Sequence, residues 1–281
     1  MALAEQQALI TAYSQTVAGL RARALQILLT LFVSLGSWRD EDADRWLEQA
    51  MPVLLGAQAA IGNLTEAYLT ALLADMLGQA PAPEALAEGA AGAAAGTGAA
   101  VTGAALRNGT PPEEAYRRPF VTVWTALSEG RPLGEARRLG EQRLRTMAAT
   151  DLQLAKTHAG RRVLSSDDRV VGYRRTLTGS RNCALCIVAS TQRYRRERLM
   201  PIHPNCDCGI APIVGDRDPG QVINEPLLER VHEAVQQMTG TSDRGARAPD
   251  YRHILIEHEH GEIGAVLTLK GRHFTGPDDL T

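Results

Sequence analysis

The sequence predicts an α+β protein: a mainly α-helical N-terminal region, residues 1–160, followed by a smaller α+β domain, residues 161–281. Three observations carry this reading. Apolar residues recur at helical spacing through the first 160 positions. From about Val163 that period gives way to short β-like runs and frequent turn residues. Aromatic residues make up only 4% of the chain while small residues abound, which favours closely packed Ala-rich helices over a β-sandwich. With 281 residues, 44% of them hydrophobic, the chain is long and apolar enough to build a real core. That composition excludes a disordered chain, a collagen-like chain and a small disulfide-stapled scaffold.

Leu9, Ile10, Tyr13, Val17 and Leu20 open the first helix, which continues through Ile27, Leu28, Leu31, Phe32 and Leu35 until Gly36 and Ser37 interrupt it. A second helix is expected over Asp40–Ala50, with Pro52 as its kink or stop. A third is expected over Leu64–Leu77, with Asn63 as its N-cap. The Ala/Gly-rich segment 84–108 reads equally as a flexible linker or as a small-residue helix. Pro111 and Pro112 start a further helix through Tyr116 and Trp124, and Arg131–Arg162 forms a long basic helix. VVGYRRTLTG reads as strand, Asn224–Met238 as one more helix, and the alternating run from Tyr251 to Gly276 as a hairpin or pair of strands. The most apolar stretch, Ala24–Gly36, is about a dozen residues, shorter than a bilayer span, so it is read as a buried helix. No signal peptide is visible, and the expectation is a soluble protein of a reducing cytoplasm with no membrane contact.

The net charge of −2 argues against a protein that coats nucleic acid. The charge is uneven, however: −3 over residues 1–150, +6 over 151–215 and −5 over 216–281. Within the basic middle, Arg193, Tyr194, Arg195, Arg196 and Arg198 form the best candidate contact for DNA or an acidic partner. Arg grips phosphate with two parallel donors and Tyr stacks on an exposed base. The competing reading is Arg that solvates a loop or pairs with acids such as Glu197.

All four cysteines fall within 26 residues, as Cys183-Ala-Leu-Cys186 and His203-Pro-Asn-Cys206-Asp-Cys208. Cys-x-x-Cys lets one turn aim two thiolates at a single ion about 2.3 Å away. His203 and Cys206 share that spacing, and Cys208 lies within reach. Five donors therefore compete for four positions: Cys183, Cys186, His203, Cys206 and Cys208. A closed site of this kind holds structural Zn2+ and contributes about 10–16 kcal/mol of apparent binding free energy to folding. Disulfides, or a redox thiol, are the alternatives, but no thioredoxin-like βαβ pattern surrounds the cysteines.

The run GYRRTLTGSRNCALCIVASTQRYRRERLMPIHPNCDCG resembles the core of the phage Mu F-like head-morphogenesis proteins, which are minor capsid proteins of tailed phages. Cys183, Cys186, His203, Pro204, Cys206 and Cys208, in that order, carry the resemblance. The downstream HEHGEIGAVLTLKGRHFTG is similar to versions from phages of actinobacteria, so the likeness covers roughly residues 158–281. The resemblance implies a zinc-stabilised C-terminal domain in a protein made in the host cytoplasm and placed inside the virion head near the portal vertex. Its implied partners are the portal protein and other capsid proteins, with packaged DNA as a further contact. Its implied role is in procapsid assembly and in DNA packaging or ejection.

Two other functions stand beside this one. Some relatives carry the label of capsid maturation protease, but neither a nucleophile elbow nor a Ser/His/Asp spacing is visible here. A zinc-containing DNA-binding module is the third reading. The F-like domain is also similar to ADP-ribosyltransferase folds, for which the chain offers Arg174 or Arg175, Ser190-Thr191 and the pair Glu257 and Glu259. Ser190 directly follows the first knuckle, so the non-enzymatic reading leads.

Overall fold

In the computed structural model of the chain the described residues are 3–78, 102–177, 184–199, 201, 208–218, 225–240, 255–260 and 263–269. Helix α1, Leu3–Val33, buries Ile10, Tyr13, Ala24, Leu28 and Phe32, whose spacings of three, eleven, four and four residues keep them on one face. Its partner α2, Asp40–Met76, returns along that face. A 3-10 turn, Gly103–Leu106, and the short α3, Pro112–Ala115, lead into α4, Arg118–Ser128. The long α5, Leu133–Ser165, completes the bundle. Strand β1, Val170–Thr176, lies between β2, Arg193–Arg195, and β3, Gly209–Val214, in an antiparallel sheet. Helix α6, Ala184–Ser190, precedes β2, and α7, Glu225–Thr239, follows β3. Strands β4, Leu255–His260, and β5, Gly264–Leu269, pair as a hairpin. The architecture is α+β: mostly helical, with a small antiparallel sheet.

The second and third helices of the sequence reading are one helix. α2 passes through Pro52 without stopping, because Pro52 and Glu48, whose carbonyl loses its N–H partner, both sit on the solvent side. The opposite face keeps Leu47, Met51 and Leu54 buried, so packing sustains the helix. Asn63 is accordingly a buried interior residue and not an N-cap. The helix begins instead at Arg39, whose backbone N–H donates to the Asp42 carboxylate at 3.2 Å. The helix expected from Pro111 is broken in two between Ala115 and Arg118. Residues 84–101 of the Ala/Gly-rich segment lie outside the described residues; its end forms the Gly103–Leu106 turn.

Two apolar clusters run along the bundle. At one end Phe32, Trp46, Phe120 and Tyr116 pack with Leu28, Leu54 and Leu144. Phe32 meets Phe120 edge-on at 5.1 Å. At the other end Tyr13 and Tyr68 stack at 4.0 Å among Leu69, Leu72, Val163 and Leu164. Val170, Tyr173, Leu199, Ile210 and Val214 of the sheet region belong to that same cluster. The change of texture at residue 160 falls inside α5, and the sheet packs directly on α2 and α5. Gly160 makes this approach possible: a Cβ there would stand 2.7 Å from Ile210 and 2.9 Å from Leu199.

α1 differs from its sequence reading in one respect. The apolar stretch is longer than Ala24–Gly36, extending over Ala8–Val33 with a mean hydropathy of 1.4, and by length and composition it is sufficient to cross a membrane. Only 17% of its most apolar window is buried. One face packs on the bundle, while Ile27 and Val33 remain exposed.

Candidate metal centre and its basic surround

Three of the five candidate donors, Cys183, His203 and Cys206, lie outside the described residues. The other two converge. Cys186 is on α6 and Cys208 immediately precedes β3, and both are buried in one small cluster with Leu185, Ala189 and Leu267. Among the described residues no three His, Cys, Asp or Glu side chains gather as a metal site. Zinc fits the donor chemistry that is described: two cysteines distant in sequence share one water-poor cluster, with a cation beside one sulfur.

That cation is Arg175, on the central strand. Its NH1 donates to Cys208 Sγ at 3.5 Å. Its guanidinium lies 5.9 Å from the Tyr173 ring centre and 5.6 Å from that of Tyr194. The antiparallel register places Arg175 opposite Ile210 and Thr176 opposite Gly209, so strand pairing itself brings Arg175 to Cys208.

Backbone carbonyls on both sides of residues 202–207 are held by side chains from the helices and the sheet. Lys156 Nζ donates to the Cys208 carbonyl at 2.7 Å, and Arg161 Nε to that of Leu199 at 2.6 Å. Tyr173 OH donates to Arg198 O at 2.9 Å and Tyr68 OH to Ile210 O at 3.0 Å. The Leu267 N–H of β5 donates to Pro201 O at 3.0 Å. Burial lowers the pKa of His158, one turn before Arg161, and the charges of Arg161 and Arg162 lower it further, so the imidazole is neutral at pH 7. Lys156, Arg161 and Tyr173 were not singled out as site residues in the sequence, and Arg175 only as one of two candidate arginines of the ADP-ribosyltransferase-like set. The available signal was that Tyr173 and Arg175 are two apart on a strand and therefore share a face.

The proposed contact residues divide. Tyr194 turns inward: its ring stacks on Tyr173 at 5.1 Å and its hydroxyl donates to Ala189 O at 2.9 Å. Burial first, then the neighbouring Tyr173, raises its pKa above the ordinary tyrosine value, although Arg175 opposes the shift. Arg193 Nε pairs with Asp218 at 2.5 Å, and Asp218 also takes two bonds from Arg174 at 2.5 and 2.8 Å. Arg196 reaches Asp168 at 3.0 Å, Glu197 at 3.1 Å and the Asp167 carbonyl at 2.9 Å. Arg195 and Arg198 are exposed. The pairing with Glu197 considered from sequence is therefore present. Gly172 makes the arrangement possible, since a Cβ there would lie 2.4 Å from the Tyr194 carbonyl oxygen. Of the ADP-ribosyltransferase-like set, Arg174 is committed to Asp218 and the buried Ser190 hydroxyl donates to Ile187 O at 2.7 Å.

A separate open groove of about 700 Å³ lies along α1, lined by Leu25, Leu29, Thr30, Val33 and, from α5, Arg145. No family model matches the chain, and neither the curated proteins nor the solved structures contain a match.

Proposed function

We propose that this chain is a minor capsid protein of the phage Mu F-like type, acting in head morphogenesis near the portal vertex, with one structural zinc ion held by four of Cys183, Cys186, His203, Cys206 and Cys208. The observation that carries the reading is the order and spacing of those donors, together with the shared burial of Cys186 and Cys208. A closed four-ligand site leaves no open position on the metal, so the ion shapes the domain and does not perform chemistry. The helical bundle supplies the face for the portal protein and other capsid proteins. Its apolar groove along α1, with Arg145 at the wall, is the surface for that contact. Arg195 and Arg198, beside the ion-paired Arg193 and Arg196, form the contact with packaged DNA or an acidic face.

Coexpression with the portal and major capsid proteins of the same phage tests the reading. The expected result is co-purification with portal, weakened by Leu29→Glu in the groove, with the major capsid protein left intact. Cleavage of the major capsid protein without portal association would instead support the maturation-protease reading.

A further inference from the structure

We infer that Asn108 is a site of covalent self-modification. Its side-chain amide is lost through attack by the Gly109 backbone nitrogen, leaving aspartate or isoaspartate, and the bonds that hold the surrounding turn set the rate.

Sequence and backbone meet at this place. Of the chain's asparagines only Asn108 precedes a glycine. A residue without a Cβ lets its backbone nitrogen approach the preceding side chain closely. Asn108 is exposed, and a Cβ on Gly109 would meet nothing within 4 Å, so solvent reaches both residues. Both hold left-handed backbone, with φ of 48° at Asn108 and 89° at Gly109. Among the described residues Asn108 is the one non-glycine residue with a positive φ, a conformation that Asn tolerates better than most side chains.

The reaction balances with water alone. Gly109 N bonds to Asn108 Cγ, the Cγ–Nδ2 bond breaks, and the amide leaves as ammonia with the proton that the Gly109 nitrogen gives up. This closes a succinimide ring. Water then adds to one of the two ring carbonyls and breaks its bond to nitrogen. Opening at Cγ leaves aspartate in an ordinary backbone. Opening at the backbone carbonyl leaves isoaspartate, with the main chain running through Cγ. Either product places a new negative charge one residue from the buried Arg107–Asp151 pair.

The fold restrains the first step. Gly109 N–H donates to Ala104 O at 2.9 Å, and Thr110 N–H to Arg107 O at 3.0 Å. The turn is also tied to the bundle: Gly103 N–H donates to Gln58 Oε1 of α2 at 2.9 Å, and Arg107 Nε to Asp151 Oδ1 of α5 at 2.7 Å. Attack requires Gly109 N–H to leave Ala104 O and the Asn108 backbone to rotate, so the reaction runs through local opening of residues 103–110.

The test incubates the full-length protein at constant neutral pH and temperature. Samples are digested at acidic pH, and the peptide carrying Asn108 is resolved into its amide, aspartate and isoaspartate forms by chromatography and mass spectrometry. Native protein should convert at Asn108 about 10–100-fold more slowly than the same protein in urea, because a surface turn opens far more readily than the whole molecule. Gln58→Met and Arg107→Met each release one tie and should speed native conversion about 3–10-fold, with the rate in urea unchanged. Native conversion at the urea rate, or none while the urea sample is consumed, overturns the inference. Unchanged native rates in both variants also overturn it. If Arg107→Met does not fold, Gln58→Met decides the matter: faster conversion at unchanged helix content supports the inference, and equal conversion overturns it.

Discussion

Arg107 and Asp151 make an ion pair inside the bundle whose energetic worth can be measured. Arg107 Nε meets Asp151 Oδ1 at 2.7 Å, and the two side chains are 5% and 3% exposed. Tyr116 OH donates to the other carboxylate oxygen at 2.8 Å, and Arg107 NH2 reaches the Met147 carbonyl at 3.4 Å. Removing either charge leaves the other buried without its counter-charge. We therefore expect Arg107→Met and Asp151→Leu each to cost about 3–5 kcal/mol. For a chain of this size that corresponds to a loss of roughly 5–9 °C in Tm. Replacing both partners removes both buried charges at once. The double variant should then lie far closer to the parent than the sum of the singles, which is about 6–10 kcal/mol. Urea unfolding followed by circular dichroism, with unchanged m-values, gives the four corners of the cycle. Single-variant costs that add to within about 0.5 kcal/mol in the double would refute the coupling.

Three further outcomes follow from the geometry. Gly172→Ala sets a Cβ against the Tyr194 carbonyl, a backbone atom that cannot rotate away, and should cost about 1–3 kcal/mol and speed tryptic cleavage at Arg193–Arg198; parent-like Tm and cleavage would show that β2 accommodates the methyl. His158 has a folded pKa below its ordinary 6.5, so the unfolded chain binds the proton first and stability should fall as pH drops through that value; His158→Gln should flatten this part of the pH profile, and an identical slope would refute it. The purified protein should hold about one zinc ion per chain, and chelation should leave helix content and the amide protection of β3 largely intact; cooperative melting of the bundle on chelation would contradict this.

Local periodicity made much of the fold legible. The 3.6-residue recurrence from Leu9 to Phe32 became α1, and the alternation at the C-terminal end became the β4–β5 hairpin. Pro52 misled because sequence registers the missing N–H but not which way the orphaned carbonyl faces. The site was legible as chemistry and not as surroundings. Lys156 and Arg161 are two cations on the helix read from sequence simply as basic, yet each donates to a carbonyl 52 and 38 residues away, respectively. Contacts across such separations leave no trace in a helical period. Tyr194 is a subtler case. Arg193-Tyr194-Arg195 is itself a period-2 pattern, outward, inward, outward, and the structure follows it. Reading the stretch as a basic loop concealed the strand.

The hydrogen bonds on either side of residues 202–207 bear on how much a metal bound by the proposed donors would have to contribute. In a minimal zinc finger the ion supplies most of the folding free energy, because no independent core exists. Here Tyr173, Ile210 and Val214 already share a core with Tyr68, Leu69 and Leu164 of the helices. The carbonyls of Arg198, Leu199, Pro201, Cys208 and Ile210 are held from α2, α5, β1 and β5. Each such bond contributes about 0.5–1.5 kcal/mol net. Together they bring the two ends of the 202–207 stretch to fixed positions, so the loop-closure entropy that a metal would otherwise have to overcome is largely offset by the fold itself. The first knuckle is served in the same way, since α6 packs Cys186 against the cluster that contains Cys208. A zinc ion bound by these donors would therefore act mainly on the donors themselves, since the sheet already shares a core with the helices.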